Sequence, residues 1–274
     1  MSLIIIDQDK CKRDGICAKE CPSQIITVAE EGALPSLAEN MEEYCTNCGH
    51  CVAVCPHGAL TLRSMPFDQC PQVEKKLHPK PQQIKQFLTA RRSVRNYKKD
   101  RVPHQLLAEL LDTARYAPTG SNKQQVHWLV FENPDEVRRL AALVIDFIRI
   151  MLPGTQDEYL SKRMNRIMSA WEKGSDRILR GAPHLVVVHS PADIPYALVD
   201  STIALTYLEL YAYSLGLGTC WAGYFTTAAG LHAPLTAALN MPAGHVCHGA
   251  VMLGYPHYKY RRIPLRNAPL VTWR

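Results

Sequence analysis

Apolar residues recur at helical spacing along the second part of the chain. Leu106, Leu107, Leu110, Leu111 and Ala114 mark one face of a helix that starts near Pro103. Val137, Leu140, Ala141, Val144, Phe147, Ile148 and Met151 repeat the pattern in a second helix. Residues 199–215 are apolar nearly all round, which predicts a helix buried at the centre of a domain. Short apolar runs at 128–131 and 185–189 predict strands, and 220–225 and 246–253 predict further strands or extended segments. A sheet covered by helices follows, in α+β or α/β layering.

The first 64 residues are organised by cysteine rather than by long apolar periods. Seven of the ten cysteines lie before residue 56, and no secretory signal is visible, so a disulfide framework is not expected. One group reads Cys45-x2-Cys48-x2-Cys51-x3-Cys55-Pro56. Three thiolates at every third position wrap a loop around a cuboidal cluster, and the fourth, followed by proline, points to a neighbouring cluster. Zinc fits poorly, because zinc sites take thiolates as separate C-x2-C pairs. Cys11, Cys17 and Cys21 are the same pattern displaced by 34 residues, and Ile25 to Val28 align with Ala59 to Leu62. Each copy of this repeat predicts a short strand or hairpin beside its cluster loop.

Over residues 3–64 the segment resembles the bacterial two-cluster ferredoxins. The resemblance implies crosswise ligation: Cys45, Cys48, Cys51 and Cys21 around one [4Fe–4S] cluster, and Cys11, Cys17 and Cys55 around the other. One position departs from the pattern, since the counterpart of Cys48 is Asp14. A carboxylate is a harder ligand than thiolate. Either Asp14 ligates the iron directly, or that iron is labile and leaves [3Fe–4S]; the alternative is an ordinary turn residue ahead of Gly15. A domain this small has little apolar core, so metal ligation has to supply much of its folding energy.

Charge divides the chain in the same place. Residues 1–64 hold five Lys/Arg against nine Asp/Glu, whereas the whole chain carries a net charge of +6. The basic residues are scattered, with no stripe interleaved with aromatics, so nucleic-acid binding is not expected. No apolar run is long enough to cross a bilayer, and the default expectation is a cytoplasmic protein without membrane partners. A proline-punctuated stretch, SMPFDQCPQVEKKLHPK at 64–80, predicts a linker over 65–81 between domains at 1–64 and 82–274. Cys70, within it, is outside the repeat register. Cys220 and Cys247 stand in apolar context and read as structural thiols. The eleven histidines are scattered, and no ligand pair stands out. Phosphate-loop, nucleophile-elbow and HExxH motifs are absent, and Gly216-Leu217-Gly218 lacks the third glycine of a dinucleotide fingerprint.

Three polar stretches remain. ARRSVRNY at 90–97 packs three guanidiniums and a hydroxyl behind a helix, and arginine forks bind phosphate and carbonyl oxygens. APTGSNKQ at 117–124 is a polar turn closing a helix. LGLGTCWAGY at 215–224 combines a helix-ending glycine turn with small residues that admit a ligand to the backbone. Together and in this order they resemble the FMN-dependent nitroreductase family, over about residues 82–274. The resemblance implies an α+β fold, with a mixed sheet-and-helix domain following the ferredoxin-type one, an intertwined homodimer, and FMN in the dimer interface. It assigns Arg91, Arg92, Ser93 and Arg95 to the flavin phosphate, ribityl chain and pyrimidine edge. Pro118, Thr119, Gly120 and Asn122 match the turn given by the other subunit, and Trp221, Ala222 and Gly223 the segment against the ring. Arg266, then Arg262, match the terminal phosphate contact.

The expected function is a flavin-dependent oxidoreductase. An external donor, reduced ferredoxin or similar, feeds the clusters, the clusters feed FMN, and FMN reduces an electron-poor small molecule. Two alternatives stay open: an NAD(P)H-fed nitroreductase with an auxiliary ferredoxin domain, and a redox carrier or sensor without a dedicated substrate. Residues 155–176 are the expected cover of the open flavin face. No catalytic side chain is singled out.

Overall fold

The computed structural model describes residues 2–274. The chain folds as two compact units. One runs to His78 and includes Ser121–Lys123; the other comprises Pro79–Gly120 and Gln124–Arg274.

In the first unit, β1 (Ile4–Ile6) is followed by α1 (Ile16–Glu20), β2 (Ile26–Thr27), β3 (Ser36–Leu37), α2 (His50–Val54) and β4 (Leu60–Leu62). β1 pairs antiparallel with β4, and β2 with β3. The 34-residue repeat is written into the backbone. α1 and α2 are 34 residues apart, and so are three left-handed positions: Arg13 and Asn47, Gly15 and Gly49, Gln24 and Gly58. Each short helix is entered through a left-handed glycine that turns the cysteine loop sharply inward. The core is small, with Ile4, Ile25, Ile26, Val52, Leu60 and Leu62 around buried Cys17 and Cys51.

The second unit comprises α3 (Pro81–Ala90), α4 (His104–Ala114), β5 (His127–Phe131), α5 (Pro134–Met151), α6 (Glu158–Glu172), β6 (His184–Pro191), α7 (Ala197–Ser214), β7 (Gly218–Trp221), α8 (Gly223–Leu231), α9 (Ala233–Leu239) and β8 (His245–Gly254). The sheet order is β5-β6-β8-β7, antiparallel throughout. Helices cover both faces. Leu185 and Val187 point into a core with α5, α6, α8 and α9, while Val186 and Val188 point into another with α4 and α7. That double burial is why β6 reads as an unbroken apolar run rather than an alternating one. No helix among the described residues is long and apolar enough to cross a membrane.

Three expectations need correction. Residues 220–225 are not one extended segment. β7 ends at Trp221, the Ala222 N–H makes a last bond to the Ala250 carbonyl, and a helix starts at Gly223. The 199–215 helix exists as α7 but is not buried all round. Its Ala204, Leu205, Leu208 and Ala212 pack inward, whereas Leu198 and Val199 are more than half exposed. The histidines are not all scattered, because antiparallel pairing gathers four of them. His127 faces His189 in register, and the His189 and His245 Nδ1 atoms lie 2.9 Å apart. His248 Nε2 meets Ser190 Oγ at 2.8 Å. Residues so far apart in sequence carry no local signal of this meeting.

The cluster should make the second unit acid-sensitive. Burial, then the charges of His245, His127 and His248, holds the His189 pKa down at about 4. An unfolded histidine titrates near 6.5. Protons therefore bind the unfolded chain first as pH falls from about 6.5 to about 4, and up to about 3 kcal/mol of stability is lost across that window. All four tryptophans lie in the second unit, so urea melts followed by tryptophan fluorescence read it directly. His189→Gln should flatten the decline; identical pH profiles for the two proteins would refute the assignment.

Candidate functional site

Two cavities in the first unit collect the cysteines. One is lined by Cys21, Cys45, Cys48 and Cys51, the other by Cys11, Asp14, Cys17 and Cys55. Each combines three positions from one copy of the repeat with the proline-flanked cysteine of the other. Burial and the neighbouring Cys48 and Cys21 sulfurs push the Cys51 thiol up to about 11, and burial likewise raises Cys17. Thiols crowded in this way keep their protons unless metal replaces them. Four sulfurs around one apolar-walled cavity fit a cubane cluster. Asp14 stands where the second cavity lacks its fourth sulfur, and its Oδ1 accepts the Ile16 N–H at 3.2 Å. Cys70 is outside both linings and exposed.

In the second unit the arginine-rich turn follows the end of α3. It is held against the sheet by the Val94 N–H to the Thr219 carbonyl at 2.8 Å, and by Lys98 and His257 pairing with Tyr255 and Asn96. Gly218 permits the approach: a Cβ there would collide with the Val94 side chain. Arg91, Arg92, Ser93 and Arg95 thereby line one groove with Tyr260 and Arg266 from the tail. Local carbonyls orient the forks. Arg92 donates to Ala90 and Thr89, and Arg95 Nη1 to Ser93 at 3.3 Å. Arg91 Nη1 is buried without a hydrogen-bond partner among the described residues, although Glu209 Oε1 stands 3.6 Å away.

Glu209 anchors the site and was missed in the sequence. Buried on α7, it accepts from Thr219 Oγ1 at 2.8 Å and from Trp221 Nε1 at 2.7 Å, besides facing Arg91. A single charged residue among the apolar and aromatic positions 207–213 of α7 was the available signal. The Trp221, Ala222 and Gly223 segment lines a second cleft with Arg95, Cys220 and Met252. Burial raises both the Cys220 and Cys247 thiols, Cys247 to about 11, so neither is a poised nucleophile.

The remaining assigned residues lie outside these two linings. The Gly120 N–H is held by the Asp200 carboxylate at 3.1 Å, and Thr119 Oγ1 accepts the Gln124 N–H. Pro118 is exposed. Asn122, left-handed at φ 53, belongs to the first unit and donates to the Thr46 and Asn47 carbonyls. Arg262 is exposed and outside the groove.

The groove fits the phosphate end of FMN: a buried donor with a free hydrogen-bonding position, among three more arginines and a serine hydroxyl, suits a phosphate. Residues 88–255 match the nitroreductase family model. The chain belongs to the nitroreductase family. This member carries, at residues 3–56, a match to the 4Fe–4S dicluster domain. A nitroreductase from Desulfitobacterium hafniense, solved with bound FMN, is 27% identical with a TM-score of 0.56, over 69% of this chain and 96% of that one. An NADH dehydrogenase from Thermus thermophilus is 27% identical over 210 residues, 67% of this chain and 92% of the relative. The dicluster part is 49% identical over 53 residues to one component of an ion-translocating oxidoreductase complex from Methanosarcina acetivorans. That match covers 19% of this nitroreductase-family chain and 17% of the relative.

Proposed function

We propose that the chain is a flavin-dependent oxidoreductase in which electrons enter through two iron–sulfur clusters and leave through FMN to an electron-poor small molecule. The observation that carries this reading is the buried Arg91 Nη1, which makes no hydrogen bond among the described residues, in a groove shared with Arg92, Arg95 and Arg266. Bound clusters carry electrons singly, and bound FMN takes them singly and delivers them in pairs. The chain's own residues set the rest. Arg91, Arg92, Ser93 and Arg266 hold the phosphate end, with Arg262 the second candidate from the tail. Arg95 places positive charge at the pyrimidine edge, which favours the reduced flavin. Trp221, Ala222 and Gly223 offer their backbone to the ring.

Pro118, Thr119, Gly120 and Asn122 serve the partner copy's site in a homodimer. The exposed apolar residues of α7, Leu198 and Val199, support a second copy as the occupant of that face. Arg91→Ala or Arg95→Ala should weaken FMN retention by tenfold to hundredfold, since a charge-assisted contact contributes about 1.5–3 kcal/mol. Equilibrium dialysis measures the affinity, and light scattering of the same samples reads the dimer. Unchanged affinity in both variants would make these arginines plain surface charge, and extraction of FAD would overturn the cofactor assignment.

Cys21, Cys45, Cys48 and Cys51 hold one cluster; Cys11, Asp14, Cys17 and Cys55 hold the other. The Asp14 corner binds iron less tightly than a thiolate corner. Air should therefore convert that cluster to [3Fe–4S] first, seen by electron paramagnetic resonance. Asp14→Cys should suppress the signal and move one cluster potential only. Two equally robust clusters with unmoved potentials would make Asp14 a turn residue.

The likeness to the Thermus NADH dehydrogenase favours a second reading, direct feeding by a nicotinamide. Anaerobic turnover separates them: reduced ferredoxin supports the cluster route, and turnover with NADPH alone supports the second.

A further inference from the structure

The second unit has a charged cleft that the proposed electron route leaves unused. α6 and the turn after it supply Lys162, Arg163, Arg166, Arg177 and Arg180 to its walls. Tyr159, Asn165, Ile167 and Tyr224 complete them, and no Asp or Glu lines the cleft. It runs into the flavin-facing cleft, because Arg163, Arg177, Arg180 and Tyr224 line both.

Four of these five cations lack counter-charges among the described residues. Lys162 pairs with Glu158 on the helix surface. None of the four guanidiniums forms an ion pair among the described residues. Asp176 is the acid nearest in sequence to Arg177, and its carboxylate is committed elsewhere. Oδ1 accepts the Ile178 and Leu179 N–H groups at 2.7 and 3.0 Å, and Oδ2 accepts that of Gly181 at 3.0 Å. Those bonds close a turn in which Arg180 sits at φ 62 and Gly181 at φ 61. A non-glycine residue is uncommon there, so the turn holds Arg180 at the cleft against its backbone preference. The Arg163 guanidinium lies 5.0 Å from the Tyr224 ring centroid, which fixes its plane over the wall. A solvated helix face would interleave the two signs. A one-sign cleft focuses its field on whatever enters.

We infer that this cleft recognises a small molecule bearing at least two carboxylate or phosphate groups and delivers it to the flavin face. The delivery step rests on the FMN reading; the anion recognition stands on the cleft alone. Guanidinium forks match both acids bidentately. Two sources share this chemistry: an acidic electron acceptor, and the phosphates of a nicotinamide donor.

The test uses the full-length, FMN-loaded protein and benzene-1,3,5-tricarboxylate, with its uncharged triamide as the matched probe. Isothermal calorimetry and tryptophan quenching should show the tricarboxylate binding at least about tenfold tighter than the triamide, with the difference shrinking in high salt. Arg166→Gln/Arg177→Gln should abolish the preference, and Lys99→Gln/Arg101→Gln, outside the cleft, should retain it. Equal binding of the two probes, or an unaffected Arg166/Arg177 variant, overturns the inference. Competition by NADPH and NADH separates the sources. Strong displacement by either nucleotide assigns the cleft to a phosphorylated donor, and weak displacement by both assigns it to an acidic acceptor. Flavin released by heat and read by its fluorescence reports the FMN reading separately, so a flavin-free protein and a failed anion preference are distinct results.

Discussion

Glu209→Leu should lower the stability of the second unit by about 3 kcal/mol and strip much of its flavin. Removing one member of a buried ion pair costs about 3–5 kcal/mol, because the remaining charge is left uncompensated. The lower end applies, since the Arg91 side chain is 28% exposed and water relieves part of the penalty. The Thr219 hydroxyl and Trp221 indole N–H lose their acceptor at the same time. For a unit of this size the melting temperature should fall by roughly 6–12 °C. Glu209→Gln keeps an acceptor for one donor and should fall between the variant and the parent. Thermal melts by tryptophan fluorescence measure the first effect, and the fluorescence of flavin released after gel filtration the second. A Glu209→Leu protein that melts within a degree of the parent and keeps its flavin would show that the network is incidental.

Oxidative stripping of iron under a chelator should unfold the first unit while the β5–β8 sheet survives. The unit's strands are two or three residues long, its helices five, and two of its eight core side chains are cysteines. Arg13, Gln24 and Asn47 are also held left-handed. Apolar burial on this scale does not offset chain entropy. Metal–thiolate bonding does, and structural zinc sets the scale at about 10–16 kcal/mol per site. Hydrogen exchange by mass spectrometry should show protection lost through residues 3–62 and retained in β6 and β8. Protection that persists across β1 and β4 without iron would mean that the apolar core suffices.

Much of this was open to view in the primary structure because periodicity and spacing are local. Leu106 to Ala114 and Val137 to Met151 gave their helices through one-sided burial. The cysteine register located both loops and the strands behind them, because each ligand has to return to the same place in each copy. What stayed hidden depends on tertiary meetings. Glu209 reads as a blemish in an apolar helix until β7 brings Thr219 and Trp221 to it. The His127, His189 and His245 rings meet only through strand pairing. The helix at Gly223 follows a ladder bond at Ala222 that no local propensity announces. The outward face of α7 was misjudged because apolar composition does not say whether the same chain or a second copy covers a residue.

The exchange of Cys21 and Cys55 between the two copies of the repeat has a consequence for descent. Two duplicated halves are ordinarily free to diverge, one decaying while the other keeps the ancestral role. Here each half completes its sibling's cavity, so damage at Cys21 surfaces on the far side, in the pocket of Cys45, Cys48 and Cys51. Neither half can be shed, and inheritance binds them as a pair.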